Sequence, residues 1–143
     1  MFKLRHIGIV CKGEIEILKN FYSKLFKPHT INEQTEEGSN IDQIVGIKNV
    51  KLKTCKLLSE NITIEIIKYL KPKAYINEFV NPSFTGLNHI SFTVESFEEA
   101  KKLIIESGGF CDNKKISKIQ NNNVKFVKYL RDPENNILEI VEI

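Results

Sequence analysis

Tryptophan is absent from the 143-residue chain, methionine occurs once, and cysteine occurs three times. Cys11, Cys55 and Cys111 are far apart and odd in number, which argues against a disulfide framework. No two of them form a CxxC pair, so the sequence offers no cysteine zinc site. Each cysteine lies within or beside an apolar segment, and we therefore expect three buried, reduced thiols.

Long apolar runs are also missing. No window approaches the roughly 20 apolar residues of a membrane span, and charge interrupts the start, MFKLRHIGIVCKGE, too soon for a signal peptide. Lys and Arg number 21 against 18 Asp and Glu, and the basic residues are spread along the chain. Nucleic-acid-binding surfaces normally concentrate such residues in a stripe or a motif. We therefore expect a cytoplasmic protein that binds neither membranes nor nucleic acids.

The first half of the chain alternates between patterns typical of strands and of a helix. Runs of β-branched residues indicate strands, and apolar residues at helical spacing indicate one amphipathic helix. The predicted elements are a strand over 3–11, a helix over 14–26, and strands over 50–58 and 62–70. Residues 29–49 are polar and hard to assign, with room for a second strand and, over 41–47, a short helical turn.

The second half returns to the same order. A strand over 87–95 precedes a helix over 97–107, which we expect Ser96 to cap and Gly108 to close. The remaining predicted elements are strands over 116–119, 124–130 and 137–143, with a turn over 132–136.

The two halves are related by an internal repeat. RHIGIV aligns with NHISFT, and ITIEII aligns with NILEIV, although identity between the halves is low. Each half reads as a strand, a helix and three strands, which predicts an α+β fold of two βαβββ modules. We place the modules at 1–70 and 86–143, joined by a linker over 71–85, with one face of each sheet free to line a paired cavity.

Four polar residues recur at matching places in this repeat. His6 and His89 lie in the first strand of each half, and Glu65 and Glu139 lie in the last strand, flanked by apolar residues. A carboxylate in an apolar strand is costly to bury unless it is paired or bound to a cation. Two imidazoles and two carboxylates suit Zn, Ni, Co, Fe or Mn as divalent ions. A lone His or Glu is more often a packing or ion-pair residue, but the repetition favours a metal site.

These segments resemble the vicinal oxygen chelate superfamily, which includes glyoxalase I, methylmalonyl-CoA epimerase, extradiol dioxygenases and bleomycin- or fosfomycin-resistance proteins. The likeness covers almost the whole chain, which would form a single glyoxalase-like domain over 1–143. It is strongest in RHIGIVCKGEIEILKNFYSKLF, ITIEIIKYLKP, GLNHISFTVESFEEAKKLIIESGG and FVKYLRDPENNILEIVEI. The last is similar to the family ending DP-[DE]-G-N-hydrophobic-E-hydrophobic, with Asn135 where Gly is usual.

The resemblance implies a metal-dependent enzyme. The four ligands of metal-dependent members fall on His6, Glu65, His89 and Glu139, which implies one divalent ion per site. A full set of four is similar to glyoxalase I and the epimerase, whereas extradiol dioxygenases and fosfomycin-resistance enzymes usually use two His and one Glu. The implied activity is that of a lyase or isomerase moving a proton next to a carbonyl, with the ion carrying the charge of the enediolate or enolate. The alternative is a non-catalytic or antibiotic-resistance-type small-molecule binding protein of the same fold.

Roles within the site follow from the same resemblance. Glu139 is our first choice for the catalytic base and Glu65 the second. The expected substrate is a 2-oxo compound, its thiol adduct or a thioester. Tyr69 stands where glyoxalase I enzymes often carry an Asn for the glutathione carboxylate, which argues against glutathione. Family members commonly dimerise, so we expect a homodimer, with modules paired within one chain or swapped between chains.

For the lysines of the strand predicted over 50–58 and for Ser91, two interpretations are open. Lys51, Lys53 and Lys56 can either bind acidic groups of a substrate or form an exposed strand face. Gly8 and Ser91, one pleat from the histidines, are expected to shape the cavity floor. Ser91 can hydrogen-bond the substrate or serve packing alone.

Overall fold

The structure, a computed structural model, describes residues 1–78, 81–112, 118–121 and 123–143, and of 118–121 it describes the backbone. The chain divides into two units, Met1–Ile76 and Asn77–Ile143. The division falls inside the linker that the sequence places at 71–85. No helix among the described residues has the length and apolar character that a membrane crossing requires.

The first unit is a four-stranded sheet with two helices. Its elements are β1 (Ile7–Val10), α1 (Ile15–Phe26), β2 (Thr30–Glu37), α2 (Ser39–Val45), β3 (Lys51–Leu58) and β4 (Thr63–Lys71). The strand order is β1-β4-β3-β2. β1 runs parallel to β4, and the other neighbouring strands are antiparallel. The first and last strands of the unit are therefore neighbours, which brings together the strands that carry His6 and Glu65.

α1 forms where the sequence predicts a helix, and its apolar stripe covers one face of this sheet. Ile15, Leu18, Phe21 and Tyr22 are buried, and the helix packs on β3 and β4. The helix ends at Lys27, which adopts a left-handed conformation with φ of 45° and donates its N–H to a carbonyl of the last turn. Burying one face under α1 leaves the opposite face available for a site.

The polar segment 29–49 holds both elements for which it had room. β2 is almost wholly exposed and is a strand because it pairs with β3 along its whole length. α2 lies over the end of the sheet face opposite α1, where Ile41, Val50 and Leu52 form a buried cluster with Ile67 and Tyr69 packed against it. This cluster closes one end of the open face.

The second unit repeats the topology of the first. Its elements are β5 (His89–Val94), α3 (Phe97–Glu106), β6 (Lys118–Asn121), β7 (Val124–Arg131) and β8 (Ile137–Glu142). The strand order β5-β8-β7-β6 reproduces that of the first unit, with a parallel β5–β8 pair and antiparallel neighbours elsewhere. Of the strand predicted over 116–119, residues 116 and 117 lie outside the described residues. The predicted α+β fold with two βαβββ-type modules is confirmed.

The ends of α3 and the turn before β8 show how local residues fix this unit. The Ser96 hydroxyl accepts a hydrogen bond from the N–H of Glu99, as an N-cap does. In the turn, the buried Asp132 carboxylate accepts hydrogen bonds from the N–H groups of Glu134 and Asn136. Asn135 has a φ of 74°, a conformation that Asn tolerates better than most residues, which explains how it replaces the Gly usual there.

Three expectations at the level of single residues need correction. β1 and β5 are shorter than predicted and begin at Ile7 and His89, so His6 precedes its strand. Cys11 and Cys55 are buried as expected, but Cys111 is partly exposed because it lies beyond the end of α3.

Candidate metal centre

The first candidate pair lies on the open face of the first sheet. His6 Nε2 lies 2.9 Å from Glu65 Oε2. Gly8 is the register partner of Glu65 on the adjacent strand, so the residue one pleat before it, His6, lies on the same face. A Cβ built at Gly8 would lie 3.7 Å from Ile67 Cδ1, an ordinary van der Waals contact.

Glu65 is buried on this face despite its charge. Its flanking residues, Ile64 and Ile66, point to the α1 side and are fully buried. The Glu65 carboxylate has a second partner besides His6, because Lys56 Nζ lies 3.2 Å from its other oxygen, Oε1. The side chain of Glu65 is 11% exposed, and both carboxylate oxygens are occupied. Burying the charge of the Glu65 carboxylate is costly unless a cation stabilises it.

A cleft of about 710 Å³ opens beside this pair, within the first unit. Arg5, His6 and Lys56 contribute imidazole and cationic groups to its wall. The remaining wall residues are mostly polar and come from β2, β3 and the start of β4: Ile31, Asn32, Glu33, Gln34, Thr54, Leu58 and Thr63. The volume lies within the range typical of small-molecule sites, so His6 of this pair lines a space that a substrate can occupy.

The second candidate pair occupies the matching place in the second unit, with looser geometry. His89 Nε2 lies 3.8 Å from Glu139 Oε2, and the rings of His89 and Tyr129 lie 5.0 Å apart between centroids. Ser91 Oγ donates a hydrogen bond of 2.7 Å to Glu139 Oε1. The Glu139 side chain is 24% exposed, about twice the fraction of Glu65. Glu139 is therefore held on one oxygen, and its other oxygen is less enclosed.

The strand registers make the two carboxylates structurally equivalent. Gly8 is the β1 partner of Glu65, and Ser91 is the β5 partner of Glu139. On the antiparallel side, Lys56 is opposite Glu65 and Tyr129 is opposite Glu139. The duplication therefore preserves the acidic residue.

The immediate neighbours of the two carboxylates differ. A glycine and a cation flank Glu65, whereas a hydroxyl and a phenol flank Glu139. Lys56 was only one of three lysines in the sequence prediction, and Tyr129 was not singled out at all. Assigning the hairpin registers would have identified both.

The spacing of each pair can be compared with what a divalent ion requires. Two ligand atoms in neighbouring positions of an octahedral ion, each about 2.1 Å from it, are about 3 Å apart. The 2.9 Å between His6 Nε2 and Glu65 Oε2 matches this value, and the 3.8 Å of the second pair exceeds it. Imidazole and carboxylate are also donors that Zn, Fe, Co, Ni and Mn accept. The residues present therefore fit such an ion, and the first pair fits it better.

The structure brings the four predicted ligands together as two pairs. Within 1–78, 81–112, 118–121 and 123–143, no three His, Cys, Asp or Glu side chains form a group that could hold a metal ion. The assembly of both pairs into one four-ligand site stays a prediction.

Comparison with known proteins identifies the fold. No protein-family model matches the chain, and no curated protein sequence matches it. Among solved structures, the chain is similar to a glyoxalase family protein from Bacillus cereus, with 16% identity over 99% of this chain and 94% of the other and a TM-score of 0.81. A glyoxalase family protein from Enterococcus faecalis is 21% identical over 98% of this chain and 97% of the other, with a TM-score of 0.60.

A third similar structure contains a metal. It is the genomically encoded fosfomycin resistance protein of Listeria monocytogenes, in complex with Mn(II) and a sulfate ion. It is 18% identical over 100% of this chain and 93% of the other, with a TM-score of 0.52. The protein thus has the glyoxalase-like fold of these structures, and the fold expected from the resemblance in its sequence is confirmed.

Proposed function

We propose that the protein is a divalent-metal-dependent lyase or isomerase of the glyoxalase or epimerase type, which moves a proton on a carbon next to a carbonyl. The observation that carries the proposal is the repeated pair: a His and a Glu lie together on the open face of one sheet, and again at the matching place of the other. Chance placement explains one such pair more easily than two related by the fold.

In this proposal His6, Glu65, His89 and Glu139 hold one divalent ion per site, each pair supplying one imidazole and one carboxylate. When bound, the ion supplies a Lewis acid that stabilises negative charge developing on a substrate oxygen. The two pairs belong either to one chain or to two chains of a homodimer.

The contacts of the two carboxylates support different roles for them. Both oxygens of Glu65 are occupied, by His6 and by Lys56, which suits a fixed ligand. Glu139 is fixed through Oε1 by the Ser91 hydroxyl, while its Oε2 lies 3.8 Å from His89, beyond hydrogen-bond distance. Glu139 therefore remains the first choice for the base.

Because Glu139 is also a proposed metal ligand, its carboxylate would have to leave the ion on substrate binding in order to act as the base. Glu139 Oε2 takes the proton from the carbon next to the substrate carbonyl, and the electron pair of the broken C–H bond moves toward the carbonyl oxygen. The Ser91 hydroxyl continues to donate to Oε1 and keeps the carboxylate oriented. The electron pair then moves back from the oxygen as the proton returns from Oε2 to the same carbon; return on the same face gives exchange alone, and return on the opposite face inverts the centre. The substrate class is a 2-oxo compound, its thiol adduct or a thioester.

Proton exchange in deuterated water tests this function. Metal-loaded protein is expected to catalyse loss of the α-proton signal from a panel of 2-oxo compounds, their thiol adducts and thioesters, followed by NMR. Glu139→Gln is expected to lower the exchange rate by at least about 100-fold, because the amide cannot act as a base. Glu60→Gln, in the exposed turn between β3 and β4, is the matched control and keeps the wild-type rate.

A second function has one observation in its favour, the structural similarity to a fosfomycin resistance protein complexed with Mn(II). A resistance-type or sequestering protein of this fold would bind a small molecule at the same pairs without α-proton exchange. Metal-dependent binding with no exchange across the panel supports that alternative and contradicts the lyase or isomerase.

A further inference from the structure

We infer that the cleft beside Glu65 is a binding site for an anionic group of the substrate, a phosphate, phosphonate or carboxylate, with Lys56 as its principal contact. The assignment of the anion to a substrate rests on the proposed function. The anion site itself rests on the first unit alone.

The three lysines of β3 have separate partners. Lys51 pairs with Glu37 at the far end of the strand, with Nζ 3.0 Å from Oε2. Lys53 lies 3.7 Å from both Glu16 and Glu33. Lys56 differs, because it lies on the face that carries Glu65 and lines the cleft. This separates the two readings that the sequence left open for these lysines.

The groups around Lys56 are mainly hydrogen-bond donors. Asn32 is its register partner on β2, and Arg5 and Thr63 also line the cleft. The ammonium, guanidinium, amide and hydroxyl groups are all able to donate to an anion. Lys56 itself is 32% exposed in its side chain, so a ligand in the cleft can reach it.

The acidic residues near the cleft are already engaged. Glu33 lines the wall, but it pairs with Lys19 and Lys53, and the hydrogen bond from Lys19 lowers the pKa of its carboxyl. Glu36 lies on the sheet face that carries Asn32 and Lys56, and it accepts hydrogen bonds from Thr54 and Gln34. Glu33 and Glu36 are therefore paired with other residues, and Glu65 is the carboxylate that contacts Lys56.

Metal binding would strengthen this preference. In the metal-free protein, the Lys56 ammonium is balanced by Glu65. A divalent ion held by His6 and Glu65 would more than offset the charge of that carboxylate, and with Glu139 as a second carboxylate the site would stay positive when Lys56 and Arg5 are counted. Charge of one sign in a partly enclosed cleft attracts the opposite sign.

Binding of inorganic phosphate and of acetate tests the inference. The ¹⁵N-labelled protein is titrated with each anion at constant ionic strength, without metal and after loading with Zn²⁺, while amide shifts on β2 and β3 are followed by NMR. The variants are Lys56→Gln, Lys56→Arg and, as the matched control on the same strand, Lys53→Gln. Circular dichroism confirms that each variant is folded.

We expect saturable phosphate binding that Lys56→Gln weakens roughly tenfold, the lower range for a hydrogen bond to a charged group. Lys56→Arg and Lys53→Gln are expected to stay within about threefold of wild type. Tighter binding of phosphate than acetate indicates a dianionic group, and the reverse order indicates a carboxylate; both support the anion site.

Equal phosphate affinity for Lys56→Gln and wild type overturns the anion site, whether or not Zn²⁺ binds. A Lys56-dependent phosphate site in a protein that takes up no Zn²⁺ upholds the anion site and contradicts the proposed metal-dependent function. Different outcomes of the same titration therefore contradict the anion site and the metal-dependent function.

Discussion

The contact between Lys56 and Glu65 makes a quantitative prediction about metal-free stability. A double-mutant cycle of Lys56→Gln, Glu65→Gln and the double variant isolates the pairwise interaction between the two side chains. Lys51 and Glu37 provide a matched control cycle. Like Lys56 and Glu65, these two residues are register partners on neighbouring strands. Their charged atoms are 3.0 Å apart, against 3.2 Å for Lys56 and Glu65. We call Lys56–Glu65 the inner pair and Lys51–Glu37 the outer pair.

The two pairs differ mainly in exposure. The glutamate side chain is 11% exposed in the inner pair and 61% exposed in the outer pair. At 3.2 Å, two unit charges attract by about 5 kcal/mol at an effective dielectric constant of 20 and by about 1.3 kcal/mol in water. Desolvation and side-chain ordering remove most of this attraction. We expect a coupling of about 1.5 kcal/mol for Lys56–Glu65 and of about 0–0.5 kcal/mol for Lys51–Glu37.

Urea unfolding followed by circular dichroism measures both cycles, since the chain has no Trp to report by fluorescence and urea does not add ions. The cycles are run with a chelator present. Raising NaCl to 0.5 M is expected to reduce the outer coupling more than the inner one, because salt screens exposed charges more strongly. An inner coupling no larger than the outer coupling contradicts the description of Glu65 as a buried carboxylate held by a cation.

Three further predictions concern the second unit and the cysteines. Ser91→Ala is expected to lower the rate of α-proton exchange about tenfold while metal affinity stays within about threefold of wild type. The reason is that the hydroxyl orients Glu139 without being a metal ligand. Equal losses of exchange rate and metal affinity would contradict that role. A thiol reagent is expected to modify Cys111 in the native protein and Cys11 and Cys55 only after unfolding, and native modification of all three would refute the burial pattern. Burial raises the pKa of the Cys55 thiol to about 11, so the thiol loses its proton at lower pH in the unfolded chain than in the folded protein. The free energy of unfolding is therefore expected to fall by about 2–3 kcal/mol as pH rises from about 9 to 11. Cys55→Ala should remove that part of the pH dependence in urea unfolding, and an unchanged slope would refute the assignment.

The fold was predictable from the sequence where periodicity follows burial. α1 and α3 each bury one apolar stripe, and β3, β4 and β8 are rich in apolar residues. β2 was not assignable because its sequence, TINEQTEE, has almost no buried side chain and pairing with β3 makes it a strand. β2 is stabilised by pairing with β3, a long-range contact that cannot be predicted from local composition.

The part of the candidate site that the internal repeat preserves was predictable from the sequence. The repeat identified the four residues, and strand alternation placed His6 and Glu65 on one face. The neighbours of each carboxylate depend on hairpin register, which pairs Lys56 with Glu65 and Tyr129 with Glu139. A shift of one residue in either hairpin would have placed other side chains there, so residue type alone could not select them.

Metal stoichiometry and affinity in five variants test the central claim most directly. Wild-type protein is stripped with a chelator, loaded with Zn²⁺, Ni²⁺, Co²⁺, Fe²⁺ or Mn²⁺, and the bound ion is counted by elemental analysis and its affinity measured by calorimetry. The single variants His6→Gln, Glu65→Gln, His89→Gln and Glu139→Gln are compared with Glu60→Gln as the control. We predict one ion per set of four ligands, with affinity at least about 100-fold weaker in each of the four ligand variants and unchanged in the control. No stoichiometric metal in the wild type, or undiminished affinity in Glu139→Gln, would contradict the claim that two repeated His–Glu pairs build one metal centre.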